Sequence, residues 1–247
     1  MERGPAIEVV TDEPAFVLHS RPYRDHRFIV DLFSLNHGRM GAIYRSPKGK
    51  RQSLTAVPQP FTPLTVCWRG NGDLKNIQSL DRGLPLNLSR QHLIAGLYLN
   101  ELCIRILQRQ QAVPALFERY QATLAALSAE LDIAPQLRRF EWLLLDTLGV
   151  VPDLRFDANG RAFEPESNYV FRPQMGMMLC SKDTPMSVSG ARLLRLADAE
   201  FLRLDDAASI ETLRLICGPA IHYLLDGKPL HSRELFRASL KNQPGQA

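Results

Sequence analysis

The main change in the spacing of apolar side chains along this chain falls between Arg82 and Ser89. Before it, they recur at every second position in short runs broken by turn residues, which is the period of strands. After it, they recur every three to four residues over longer stretches, which is the period of helices. Such a chain is expected to be α+β, with a β-region over residues 1–82 and a mostly helical region over 83–247. At 247 residues there is enough chain for two cores.

Within the first region, Ala15–Ser20 is a short apolar run. Arg24, His26, Phe28, Val30 and Leu32 alternate with Asp25, Arg27, Ile29 and Asp31, predicting one long strand with a solvated face near its start. Asn36-His37-Gly38 reads as a turn into a further alternating run, Arg39–Arg45. Phe61–Trp68 is rich in β-formers, and Asn71-Gly72 is a strong hairpin signal leading into Asp73–Leu80. Five strands with a long loop after the third predict a small closed barrel of the OB type, whose face and loops commonly bind single-stranded nucleic acid.

In the second region Ser89 is placed to cap a helix, and Leu93–Leu107 is apolar nearly all round, as in a buried central helix. Glu101 and Arg105 stand four apart in the favourable order. Pro114 and Pro135 each sit where a proline can open a helix, and the third helix is expected to run to Leu148 and stop at Gly149. Residues 150–188 interrupt the helices: Asp157-Ala158-Asn159-Gly160 reads as a turn, and Asn168–Cys180 includes strand-like sequence. Helices resume near Ser189, over Asp206–Leu225 and after Ser232. The expected architecture is therefore an N-terminal five-stranded OB barrel, then a helical domain carrying a small irregular or β insertion.

Charge narrows the function. Residues 1–82 carry twelve Lys/Arg against eight Asp/Glu, whereas residues 83–247 carry eighteen of each. Arg39–Arg51 holds five cations and no acid, which concentrates positive potential in one loop that attracts phosphates. The other reading of such a run is a solvated loop that serves solubility. The N-terminal segment has acids where a secretory signal would have cations, and the apolar stretches fall short of the roughly 20 residues a bilayer needs. A soluble cytoplasmic protein is expected. The four cysteines are scattered without a CxxC pair, so free thiols are expected and a structural zinc site has no support from spacing. No GxxxxGK[ST], HExxH or GxSxG motif is present, and Asp205-Asp206 reads as the acidic start of a helix, so neither an enzyme nor a cofactor is expected.

Five segments in order, AFVLHSRPY (Ala15–Tyr23), QPFTPL (Gln59–Leu64), GLYLNEL (Gly96–Leu102), LRRFE (Leu137–Glu141) and GKPLHSRELFR (Gly227–Arg237), resemble the bacterial DNA repair protein family RecO. The resemblance implies a non-enzymatic recombination mediator in the bacterial cytoplasm, associated with the nucleoid. Such a protein binds single- and double-stranded DNA and anneals complementary strands. It works with RecR and helps load RecA onto DNA coated by the single-stranded-DNA-binding protein, whose acidic-apolar C-terminal tail it recognises. Many members carry a four-cysteine zinc module within the helical domain. Here the matching region, 150–188, has only Cys180, so the metal is not carried over. Packing around Phe156, Phe163, Tyr169, Phe171 and Met175, Met177 and Met178 is expected to replace it.

DNA contacts are expected from Arg39, Arg45, Lys48, Lys50 and Arg51, with Arg21 and Lys75 in support. Tyr44 and Trp68 are candidate stacking residues, each weighed against a place in the core. Lys228, Arg233 and Arg237 form a second cationic group: cations near a helix N-terminus oppose the macrodipole, which points to a role other than stability, and the other reading is that Glu234 and nearby acids pair with them. For the partner peptide, Arg138, Trp142 and Leu145 form a stripe suited to a chain end with an aromatic ring and a free carboxylate, with Trp142 weighed against a place in the core. Two other classes stay open: an OB-type RNA-binding factor, and a protein scaffold that touches no nucleic acid.

Overall fold

The structure is a computed structural model that describes residues 8–24, 26–46, 57–198 and 206–241. Five strands close a barrel in the order β1-β2-β3-β5-β4, with β1 Val9–Arg24, β2 Arg27–Ser34, β3 Gly38–Arg45, β4 Pro63–Arg69 and β5 Leu74–Arg82. All neighbours are antiparallel except β3 and β5, which run parallel, so the barrel is OB-like. Closure depends on β1, whose first half pairs with β4 and whose second half pairs with β2. Register shifts at Val10/Glu13, Val17/His19 and Pro22/Arg24 bend it enough to serve both partners.

The long strand expected over Arg24–Leu32 is instead split. Arg24 pairs with Arg27 across a tight turn in which His26 takes a left-handed φ of 56°. Alternation hides the turn because polar residues stand on both sides of it, whereas β1 extends back to Val9 through a stretch with little apolar signal. The barrel interior is filled by the inward residues of each strand, Val17, Leu32, Met40, Val66 and Trp68 among them.

By compactness the chain forms two units, Met1–Glu130 with Leu230–Ala247, and Leu131–Pro229. This division by packing differs from the two-part division at residue 82. The first unit adds α1 Arg90–Ile106, α2 Pro114–Ser128 and α6 His231–Lys241 to the barrel. Phe16 and Phe33, on the outside of the barrel, meet Phe117 and Tyr120 of α2 with ring centroids 5.3–5.9 Å apart. Where β1 shifts register after Val17, the Leu18 carbonyl accepts from Asn100 Nδ2 at 2.9 Å, and Tyr120 Oη donates to Asn100 Oδ1 at 2.6 Å. All three residues are buried, so this chain of bonds pairs polar groups that water does not reach. Ser89 stands at the N-cap of α1, but its hydroxyl donates to Glu130 and makes no capping bond.

The Glu101–Arg105 pair is present at 3.3 Å, and Glu101 does more. Its carboxylate accepts from the backbone N–H groups of His231 and Ser232, each at 2.9 Å, and from Ser232 Oγ at 2.7 Å. A side chain of α1 thereby caps the start of α6.

The second unit contains α3 Ile133–Thr147, β6 Asn168–Arg172, β7 Gly176–Cys180, β8 Val188–Ser189, α4 Gly190–Asp198 and α5 Ala207–Leu224. Helix α3 ends as expected: Gly149 at φ 67° donates to Asp146 O and Val150 to Leu145 O, the paired bonds of a Schellman cap. In the insertion, Phe163, Tyr169, Phe171 and Met177 are buried, and the Phe163 and Tyr169 rings lie 4.6 Å apart. Phe156 and Met175, expected in the same core, are exposed instead. Cys180 is half-buried, and no group of three or more His, Cys, Asp or Glu among the described residues is placed to hold a metal ion. The donor set does not fit a zinc module.

Candidate nucleic-acid interface

Three strands bring arginines to one end of the barrel. Arg24 at the end of β1 is opposite Arg27 at the start of β2, and Arg27 is opposite Arg45 at the end of β3. Two residues along the strands, Arg21, Ile29 and Ile43 form the next cross-strand row, so Arg21 shares a face with Arg27 and Arg45. Arg21, Arg24 and Arg45 are exposed and Arg27 is half-buried. None of the four is ion-paired within the described residues. Tyr23 lies beside them, 44% exposed, with the Arg24 guanidinium 5.3 Å from its ring centre. That cation–π contact holds a ring at the surface among open guanidinium groups. Cations flanking an exposed aromatic face are the equipment for gripping phosphates while a base stacks.

Of the residues expected to contact phosphate, Arg21 and Arg45 are exposed in this group, whereas Lys48, Lys50 and Arg51 lie outside the described residues. Arg39 and Lys75 are used internally. Arg39 is the register partner of Phe33, on the face that α2 covers, and its Nη1 donates to Leu107 O at 3.2 Å with Asp31 3.9 Å away. Burial, with Arg109 adding like charge, holds its guanidinium below the usual arginine range despite Asp31. Lys75 is the register partner of the core residue Ala42, and its amine reaches Glu8 at 3.0 Å.

The expected stacking residues also point inward. Trp68 is fully buried in the barrel, with His37 edge-on at 5.1 Å, and Tyr44 is half-buried against the same core. Strand alternation puts Trp68 on the side of Leu64 and Val66, and Tyr44 beside its register partner Phe28. Sequence reading missed Tyr23, Arg24 and Arg27. The available signal was the run Arg21–Arg27, where an aromatic ring stands among three arginines and a histidine.

Arg233 and Arg237 of α6 are exposed, with Arg233 5.9 Å from the centre of the Tyr98 ring; Lys228 is exposed in the other unit. The nearby acid Glu234 faces His231, 3.7 Å away. The stripe Arg138–Trp142–Leu145 is turned into its unit. Leu145 is fully buried, and Trp142 packs against Leu196 and Leu213. Arg138 is ion-paired with the buried carboxylate of Glu141. Burial, with Glu141 adding negative charge, pushes the neighbouring Cys217 thiol well above its ordinary range. The stripe is thus a wall of the core, and helical spacing alone did not distinguish it from the neighbouring Phe140–Leu144 stripe.

Comparison with known proteins bears on what this interface serves. Residues 9–82 match the family described as Recombination protein O N terminal, and residues 88–234 match Recombination protein O C terminal. The DNA repair protein RecO of Pseudomonas paraeruginosa is 39% identical over 225 residues, covering 91% of this chain and 94% of its own. That of Stutzerimonas stutzeri is 40% identical over 233 residues, covering 94% and 95%. The RecO protein of Methylococcus capsulatus is 37% identical over 239 residues, covering 96% and 97%.

Proposed function

Because the chain belongs to the recombination protein O family, RecO, we propose that it is a DNA-binding recombination mediator that anneals complementary strands. On this reading it acts without enzymatic turnover, with RecR and the single-stranded-DNA-binding protein, to load RecA. The observation that carries the proposal is the group Arg21, Arg24, Arg27 and Arg45 around exposed Tyr23 on an OB-like barrel. Annealing requires two polyanions to approach, and guanidinium groups that neutralise phosphates release counterions and lower that repulsion. An aromatic face tolerates any base, which suits a protein that handles arbitrary sequence. Arg233 and Arg237 are a second exposed cationic pair available to the other strand. No helix among the described residues is long and apolar enough to cross a membrane.

Anisotropy of a labelled DNA single strand across a salt series tests the site. For each phosphate neutralised, log K should fall with log salt by about 0.7. An Arg24/Arg27/Arg45→Ala variant should flatten that slope by about 2 units if each residue meets one phosphate. A Lys48/Lys50/Arg51→Ala variant measures the share of the basic loop in the same way. Unchanged slopes in both variants would remove the barrel as the binding surface.

A further inference from the structure

The second unit contains a cavity that the nucleic-acid reading leaves unused. It has a volume of about 440 Å³ and lies between the residues that follow α3 and the β6–β7 hairpin. Phe171 forms part of its wall, and Phe156, Met175 and Tyr223 line it while remaining 45%, 59% and 43% exposed. Three large apolar side chains left open around one depression are unusual for a surface that meets only water.

The cavity is held by defined bonds. Ala158 N–H donates to Met177 O at 2.7 Å, tying the turn to β7. Asp157 accepts from the N–H groups of Arg161 and Asn159, at 2.9 and 2.8 Å, and these bonds hold its carboxylate below the usual range. Asp153 accepts from Arg155 N–H at 2.7 Å. Both carboxylates belong to the lining, whereas no lysine, arginine or histidine does.

We propose that this cavity docks a basic-apolar segment of a partner protein, with an arginine or lysine set between the carboxylates and the aromatic rings. A guanidinium or ammonium group is attracted both to carboxylate oxygens and to the faces of Phe156 and Tyr223. A flanking aliphatic side chain packs on Met175, whose flexible thioether adapts to its shape. The two acids in a lining without cations disfavour an acidic segment, which would bring like charge to like.

Methyl-labelled methionine NMR on the full chain tests this, because Met175 and Met177 line the cavity while Met40 is buried in the barrel and serves as internal control. The probes are a capped peptide of alternating arginine and leucine and its glutamate–leucine counterpart. The arginine peptide should move the Met175 and Met177 signals saturably, at least about tenfold more tightly than the glutamate peptide. The movement should be lost in Asp153→Asn and in Tyr223→Ala, with DNA binding by the barrel unchanged. No movement, an equal response to both peptides, or Met175 shifts that follow protein concentration without peptide would each overturn the proposal. The last result would assign the surface to a second copy of the chain.

Discussion

Asn100 is a polar residue in the buried part of α1, and its amide joins β1 to α2 through the Leu18 carbonyl and the Tyr120 hydroxyl. Asn100→Ala removes one hydrogen bond from each of two buried groups, at about 0.5–1.5 kcal/mol each. Urea denaturation should show that loss as a lower midpoint with little change in slope. Tyr23 raises a different question, because its ring is 44% exposed beside the Arg24 guanidinium. Tyr23→Ala should leave the midpoint unchanged and weaken single-strand binding by about 1–3 kcal/mol for one stacked base. The salt slope should stay at the wild-type value, because no phosphate contact is removed. A flattened slope would instead assign Tyr23 to holding Arg24.

Among the elements, α6 depends most visibly on a distant side chain. Burial raises the affinity of Glu101 for a proton, but the Ser232 and His231 N–H groups, the Ser232 hydroxyl and Arg105 outweigh it and hold the carboxylate below its usual range. A group with a depressed folded pKa stabilises fully above its unfolded value, and that contribution is lost as pH falls through the folded one. The anchoring of α6 should therefore be constant at neutral pH and weaken on acidification below about pH 4.3, the ordinary glutamate value. Amide exchange of α6 read across that range should show protection falling first at Ser232. Glu101→Gln should show the lowered protection already at pH 7. Equal protection in both proteins would mean that packing against α1 holds the helix without the cap.

For the whole molecule, binding and annealing rest on the same surface in the proposed function. The Arg24/Arg27/Arg45→Ala variant should lose annealing rate in step with its lost affinity, and adding ATP should change neither. Fluorescence-quench annealing of complementary oligonucleotides measures this. Full annealing by a variant that no longer binds single strands would separate the two activities and shift attention to Arg233 and Arg237.

How much of this was legible beforehand differs between fold and site. The five strands, the turn at Asn36–Gly38, the helix opened by Pro114 and the stop at Gly149 all follow from local chemistry: strand alternation, fixed proline φ and a glycine at positive φ. The tight turn between Arg24 and Arg27 was hidden because alternation continues through it, and with it went the register that gathers three arginines. The same limit applied to the site. Composition placed the net positive charge in the first third of the chain, but Arg39 and Arg45 differ only in what covers them. The segment that joins α1 to α2 lies along Arg39, and Arg45 stands beyond it. A sequence determines which residues alternate and how much charge they carry. Tertiary packing alone decided which of those charges remain free, because burial depends on residues far away in the chain that come to lie on the same face.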